Sequence, residues 1–127
     1  MFLHEKVAKL LNVHDIQDLT DLLQDKKNIE FISWHKDIHN KLCRPVFSTE
    51  YSPFLMQFHH LSSTLNSTNA MIYSKEYKTT SLQNYYALKH GIALKYPLLP
   101  VVVDYGHKNQ EVYYAMETLL YHDKYFC

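Results

Sequence analysis

Thr80-Ser-Leu-Gln-Asn-Tyr-Tyr-Ala-Leu-Lys-His-Gly-Ile-Ala-Leu-Lys-Tyr-Pro-Leu-Leu-Pro100 is the stretch around which the rest of the chain is read. Its front end has the pattern of a capped helix. Thr80 is placed to accept from the backbone N–H of Gln83, the Gln83 side chain is placed to reach back to Thr80, and Gly91 offers a left-handed stop. Beyond Gly91 the apolar period changes from helical to alternating, with Ile92, Leu94 and Tyr96 on one side and Ala93 and Lys95 on the other. That change predicts a strand entered through a glycine. Pro97 and Pro100 each lack a backbone donor, so ladder pairing has to bend or break before the apolar run at 101–103 resumes it. A short helix clamped onto a sheet then presents Tyr85, Tyr86, Lys89 and His90 together.

The part from Asn84 to Pro100 closely resembles the signature of the PAZ domain, the module of Argonaute, Piwi and Dicer proteins that holds RNA 3′ ends. The family pattern is an aromatic pair, a basic residue and an aromatic or His before the turn, then an apolar-basic-Tyr-Pro run that closes at a second Pro. Further on, Val112-Tyr-Tyr-Ala-Met-Glu-Thr118 is similar to a later PAZ strand that ends in an apolar-Glu pair. The earlier part of the chain matches only in outline. The spacing and the Tyr-Pro run look more like Argonaute than Dicer.

Composition sets independent bounds. At 127 residues with 46% hydrophobic content, the chain is long enough for one folded domain with its own core. Thirteen basic and thirteen acidic residues cancel, so no field of the whole molecule draws nucleic acid from a distance, and any RNA contact is expected to be local. Cys43 and Cys127 make no disulfide framework, which points to reduced thiols and a cytoplasmic setting, with nucleus or RNA granules as further expectations. No apolar run approaches the roughly 20 residues of a membrane span, and Glu5 and Lys6 interrupt any signal-peptide pattern. Eleven tyrosines are the compositional oddity. A tyrosine joins a flat apolar face to a polar tip, which suits either a half-buried strand or a surface that grips base and phosphate together.

Read in order, Leu3, Val7, Leu10 and Leu11 form one helical stripe. A second helix follows, capped by Asp15, buried through Ile16, Leu19, Leu22 and Leu23, with Lys26 and Lys27 in its last turn. Residues 28–34 read as a first strand ending at His35, residues 36–40 as a polar turn, and residues around Val46 and Phe47 as a second strand that Pro45 confines to an edge or bulge. Residues 51–58 fit strand or helix equally. The Ser/Thr/Asn-rich run 61–69 reads as a loop, 71–73 as a short strand, 75–78 as a turn, 104–109 as a hairpin loop and 112–116 as the returning strand, which 118–121 either extends or leaves. Short strands with regular turn signals and helices mainly at the start predict an α+β fold built on a small, partly open β-barrel. The resemblance implies the same: an OB-like barrel with an inserted β-hairpin and helix clamp. It is a single PAZ-like domain over 1–127, with N-terminal helices packed outside in 1–27 and barrel plus clamp in 28–127. Such a unit is expected as a fragment of a larger Argonaute-type protein.

Catalytic constellations are absent from the sequence. The nine histidines lack metal-ligand spacing, neither cysteine sits in a nucleophile motif, and two glycines make no phosphate loop. Asp104 and Glu117 are expected in loop or solvated roles. The expectation is therefore a binding protein and not an enzyme, with no cofactor and no metal. Tyr85 and Lys89 lie one turn apart and His90 beside them, so a phenol, an ammonium and an imidazole converge on what a phosphodiester needs. For Tyr85 alone, a place in the core is as reasonable.

The resemblance assigns Tyr85, Lys89 and His90 to the terminal phosphate. It adds His35 from the end of the first strand, Arg44 and Phe47 from the next, Tyr114 against the terminal sugar, and Met71, with Tyr73 as a substitute, where the family offers an aromatic to the last base. Loss of an aromatic platform there costs about 1–3 kcal/mol per base. The implied function is sequence-independent binding of the 3′ end of small single-stranded or overhanging RNA, as in guide anchoring during RNA silencing. The domain is expected to be monomeric, contacting other domains of the parent chain and no membrane. The alternative is a PAZ-like protein-interaction or structural module with a degenerate pocket, to which Met71, Pro45 and the zero net charge point. A general single-strand binder of the OB type is a third reading and predicts affinity that grows with RNA length.

Overall fold

A computed structural model describes residues 1–38, 44–49, 51–56, 58–105 and 110–126, of which 44–46, 52–56 and 123–126 are described by backbone alone. Three helices open the chain: α1 (Leu3–Leu10), α2 (Ile16–Leu22) and α3 (Lys26–Ser33). α1 buries Leu3 and Val7, one turn apart, and α2 starts at Asp15, whose carboxylate accepts from the N–H of Gln17 at 2.6 Å. The strand expected over 28–34 is instead α3. Asp25 caps it by accepting from Lys27 N–H at 2.9 Å, so Lys26 and Lys27 open a new helix and do not close α2. Burial of Ile29, Ile32 and Ser33 follows helical spacing and leaves Phe31 half exposed. Over so few residues the alternating and helical templates both fit, and the cap decides between them.

All the strand pairings are antiparallel. One sheet has the order β2-β1-β8, from β1 (Arg44–Thr49), β2 (Ser52–Met56) and β8 (Leu119–Phe126). A second has the order β3-β6-β7, from β3 (His60–Asn66), β6 (Pro100–Tyr105) and β7 (Glu111–Ala115). β4 (Met71–Ser74) and β5 (Lys78–Ser81) make a separate hairpin. The fold is thus α+β, and among the described residues the ladders close into no continuous barrel. Pro45 sits at a register shift against β8, as a residue without a donor must, although β1 is the central strand of its sheet. The expected loop at 61–69 is largely β3. Its register against β6 breaks between Leu61 and Asn66, where the Ser62 hydroxyl accepts from Thr64 and Leu65 N–H at 3.2 and 2.9 Å in place of ladder partners. The hairpin loop expected at 104–109 falls mostly outside the described residues, as do His39, Cys43 and Cys127.

The opening stretch folds nearly as its pattern predicts, shifted by one residue. Ser81, not Thr80, caps α4 (Leu82–Tyr85) by accepting from Asn84 N–H at 3.2 Å, while Thr80 stays in the hairpin opposite Ile72. α4 passes into a π turn (Tyr86–His90), which Gly91 ends at φ 66°, where a Cβ would be strained. No strand follows. Lys95 and Tyr96 donate their backbone N–H groups to the Glu117 carboxylate at 3.0 and 2.8 Å, so Glu117 replaces a strand partner and is not merely solvated.

β6 separates two apolar clusters. Val102 faces the larger one with the three helices, Phe47, Phe58, Leu61, Met116 and Leu119. Val101, pointing the other way along the same strand, joins Ala70, Leu82, Tyr86, Leu94 and Ala115 in the smaller one. This smaller core is the floor beneath the hairpin and α4.

A tyrosine-lined cleft between hairpin, helix and sheet

A cleft of about 450 Å³ opens between the hairpin (Met71 to Tyr73), α4 with its π turn, β7 and the connection before β2. Six of its lining residues are tyrosines: Tyr51, Tyr73, Tyr85, Tyr86, Tyr113 and Tyr114. Tyr86 is buried at 2% exposure and anchors the floor. Its hydroxyl lies 2.8 Å from the Tyr51 hydroxyl and 3.2 Å from that of Thr118, and it accepts from Ala115 N–H at 3.1 Å. Thr118 in turn donates to Ala115 O at 2.8 Å. Above this network the Tyr51 ring stacks on His90 at 4.1 Å between centroids, and Tyr85 meets His90 edge-on at 5.9 Å. Tyr77 donates to Leu88 O at 3.2 Å and ties the hairpin turn to the π turn.

The cleft is polar without being cationic. Burial, reinforced by Tyr86, pushes the Tyr51 phenol far above its ordinary pKa, and burial raises that of Tyr114. The hydrogen bond to Glu111, with burial second, raises Tyr113 to about 12. Burial and the neighbouring Lys89 hold His90 below the usual imidazole value, so at neutral pH the ring is uncharged. Glu111 is the one carboxylate among the lining residues, and no Lys or Arg is among them.

Of the residues expected at the site, Met71, Tyr85, His90 and Tyr114 line this cleft together. Lys89 does not line it; its ammonium lies 3.9 Å from Glu76 on the hairpin turn. Phe47 is fully buried in the larger core against Phe58 and Tyr121. His35 follows α3, edge-on to Phe31 and accepting from Asp37 N–H at 3.1 Å, away from the cleft, because the expected first strand is a helix. Arg44 pairs through its backbone with Phe126, and its side chain lies outside the described residues. Tyr51, Tyr86, Glu111 and Tyr113 are cleft residues that the sequence reading did not single out. Tyr86 carried a signal, since it follows Leu82 at helical spacing and turns inward; Tyr51, read as a turn residue, carried none. Among the described residues no group of three or more His, Cys, Asp and Glu side chains could hold a metal ion, and no helix is long and apolar enough to cross a membrane.

No family model matches the chain, and no curated protein matches its sequence. Among solved structures, its fold is similar to part of Dicer from Giardia, with a TM-score of 0.51 and 17% identity over 85% of this chain. The chain corresponds to 17% of the length of that structure, and the likeness is one of fold.

Proposed function

We propose that the cleft holds the 3′ end of a small single-stranded or overhanging RNA, independent of sequence, as a PAZ-like module of a larger RNA-silencing protein. The observation that carries this reading is the convergence of six tyrosines and His90 on one cleft between an inserted hairpin and a helix. Phenol and imidazole groups bind a single phosphodiester by directed hydrogen bonds, and tyrosine faces accept a base of any identity. The pattern at residues 84–100 and the fold likeness to part of a Dicer support the same reading. The two three-stranded sheets then act as the sides of an open, OB-like barrel, and the domain works by binding, without catalysis, in the cytoplasm. An Argonaute or Piwi parent remains the proposal for the intact protein.

A second reading is a structural or protein-binding module with a degenerate pocket. Glu111 in the lining and the engagement of Lys89 by Glu76 favour it, since both remove attraction for phosphate. Titration of a short fluorescent RNA bearing a free 3′ hydroxyl, against the same RNA ending in a 3′ phosphate, separates the two. End recognition predicts tighter binding of the free end and a shallow salt dependence, because few phosphates are neutralised. Equal or absent binding supports the second reading. Affinity that climbs with RNA length supports a general single-strand binder.

A further inference from the structure

The polar floor of the cleft has one consistent arrangement of protons. Four contacts have to be bridged: Ala115 N to the Tyr86 oxygen, Thr118 to Ala115 O, Tyr86 to Thr118, and Tyr51 to Tyr86. Four protons are present, one on each of the Ala115 amide and the three hydroxyls. A carbonyl cannot donate, so the Thr118 proton goes to Ala115 O, and the contact between Tyr86 and Thr118 must use the Tyr86 proton. The contact between Tyr51 and Tyr86 must then use the Tyr51 proton. The Tyr86 oxygen accepts twice and donates once, which completes it. Tyr51 has given its only proton downward, and what it offers to the cleft is a lone pair. Tyr113 is in the same condition, since its hydroxyl donates to the Glu111 carboxylate, itself only an acceptor when ionised.

We propose that Tyr51 is a specificity residue that accepts a hydrogen bond from a free hydroxyl of the ligand's terminal ribose, so that the cleft selects an end carrying an unblocked sugar. This rests on the reading of the cleft as an RNA-end site. An ether, a phosphate oxygen or a hydrogen atom at the sugar cannot donate to Tyr51, and the buried lone pair is then left without the solvent that it loses on binding. The acceptor character is set by Thr118 two bonds away, which makes Thr118 a positioning residue for Tyr51 although it lies on the far side of Tyr86.

The test compares an RNA ending in a 2′,3′-diol with the same RNA ending in a 2′,3′-dideoxy nucleotide, with 2′-deoxy, 3′-deoxy and 2′-O-methyl ends to show which hydroxyl donates. The dideoxy end is expected to bind about tenfold more weakly to the native protein. In Tyr51→Phe, checked for folding by its melting temperature, the difference between the two ends should largely vanish. In Thr118→Val the Tyr86 proton loses its acceptor and turns onto Tyr51, whose own proton is released toward the cleft. The preference should shrink there too, with every phenol still in place. Equal binding of diol and dideoxy ends, or the same difference in Tyr51→Phe as in the native protein, overturns the role of Tyr51 and leaves end binding standing. Absence of binding to all of these RNAs overturns both.

Discussion

At the scale of single residues, Tyr85 and Tyr86 show how adjacent rings divide labour. Tyr85 is half-buried, faces the cleft and touches Tyr77 and His90 by ring edges alone, whereas Tyr86 is buried with its hydroxyl in three contacts. Tyr85→Ala is therefore expected to weaken binding of an RNA end more than tenfold, about 1.4 kcal/mol or above, while the melting temperature stays nearly unchanged. A large drop in melting temperature would assign the Tyr85 ring to the core. Tyr86→Phe should do the reverse. It leaves Ala115 N–H and the Tyr51 hydroxyl without their acceptor and is expected to cost about 1–3 kcal/mol in denaturant unfolding, with the ring still filling the floor. Both residues stand in the motif at 84–100, yet only the first was legible as a ligand group. The direction of a side chain depends on whether the helix begins at Thr80 or Ser81, and pattern alone does not resolve one residue.

At the scale of elements, signals that pair locally were readable and those that depend on a distant partner were not. Gly91 ends the π turn as expected, and β6 with β7 forms the expected antiparallel pair, because a positive φ and an unbroken valine run declare themselves in sequence. The segment after Gly91 alternates like a strand but has no neighbour to pair with. Glu117, more than twenty positions away, supplies the acceptors instead. Glu117→Ala is accordingly expected to destabilise the fold by about 2 kcal/mol, in the range for hydrogen bonds to a charged group, with a lower denaturant midpoint at an unchanged slope. Glu117→Gln, which keeps one acceptor oxygen, should recover part of the loss. No change in midpoint for the alanine variant would mean that solvent replaces the carboxylate at no cost. The exchange of strand for helix at residues 28–34 has the same root. Ile29, Ile32 and Ser33 find their contacts on the larger core and on β3, where Ser33 accepts from Leu61 N–H at 3.0 Å, and nothing local announces that partner.

At the scale of the whole molecule, the histidines set an acid limit. His4, His60 and His90 are all held below the ordinary imidazole pKa of 6.5, each by burial first, and the Nδ1 of His4 is buried without a hydrogen-bond partner. The unfolded chain takes up protons at these sites before the native one does. Stability is therefore retained above pH 6.5 and falls as the pH drops below it, until the native pKa values are passed. The melting temperature should decline between about pH 7.5 and pH 5.5, and His4→Phe, which keeps a ring beside Phe2 and Tyr96, should flatten that decline. An identical decline in the variant would move the cause elsewhere. The placing of Val101 and Val102 on opposite faces of β6 has a mechanical consequence as well. The strand works as a party wall: the rooms on either side share it but are furnished separately, so the smaller one can be vacated without bringing down the larger. The hairpin and α4 should therefore lift off as one cooperative unit, with amides that exchange together and ahead of those in the three helices, giving a guest a way in that needs no global unfolding.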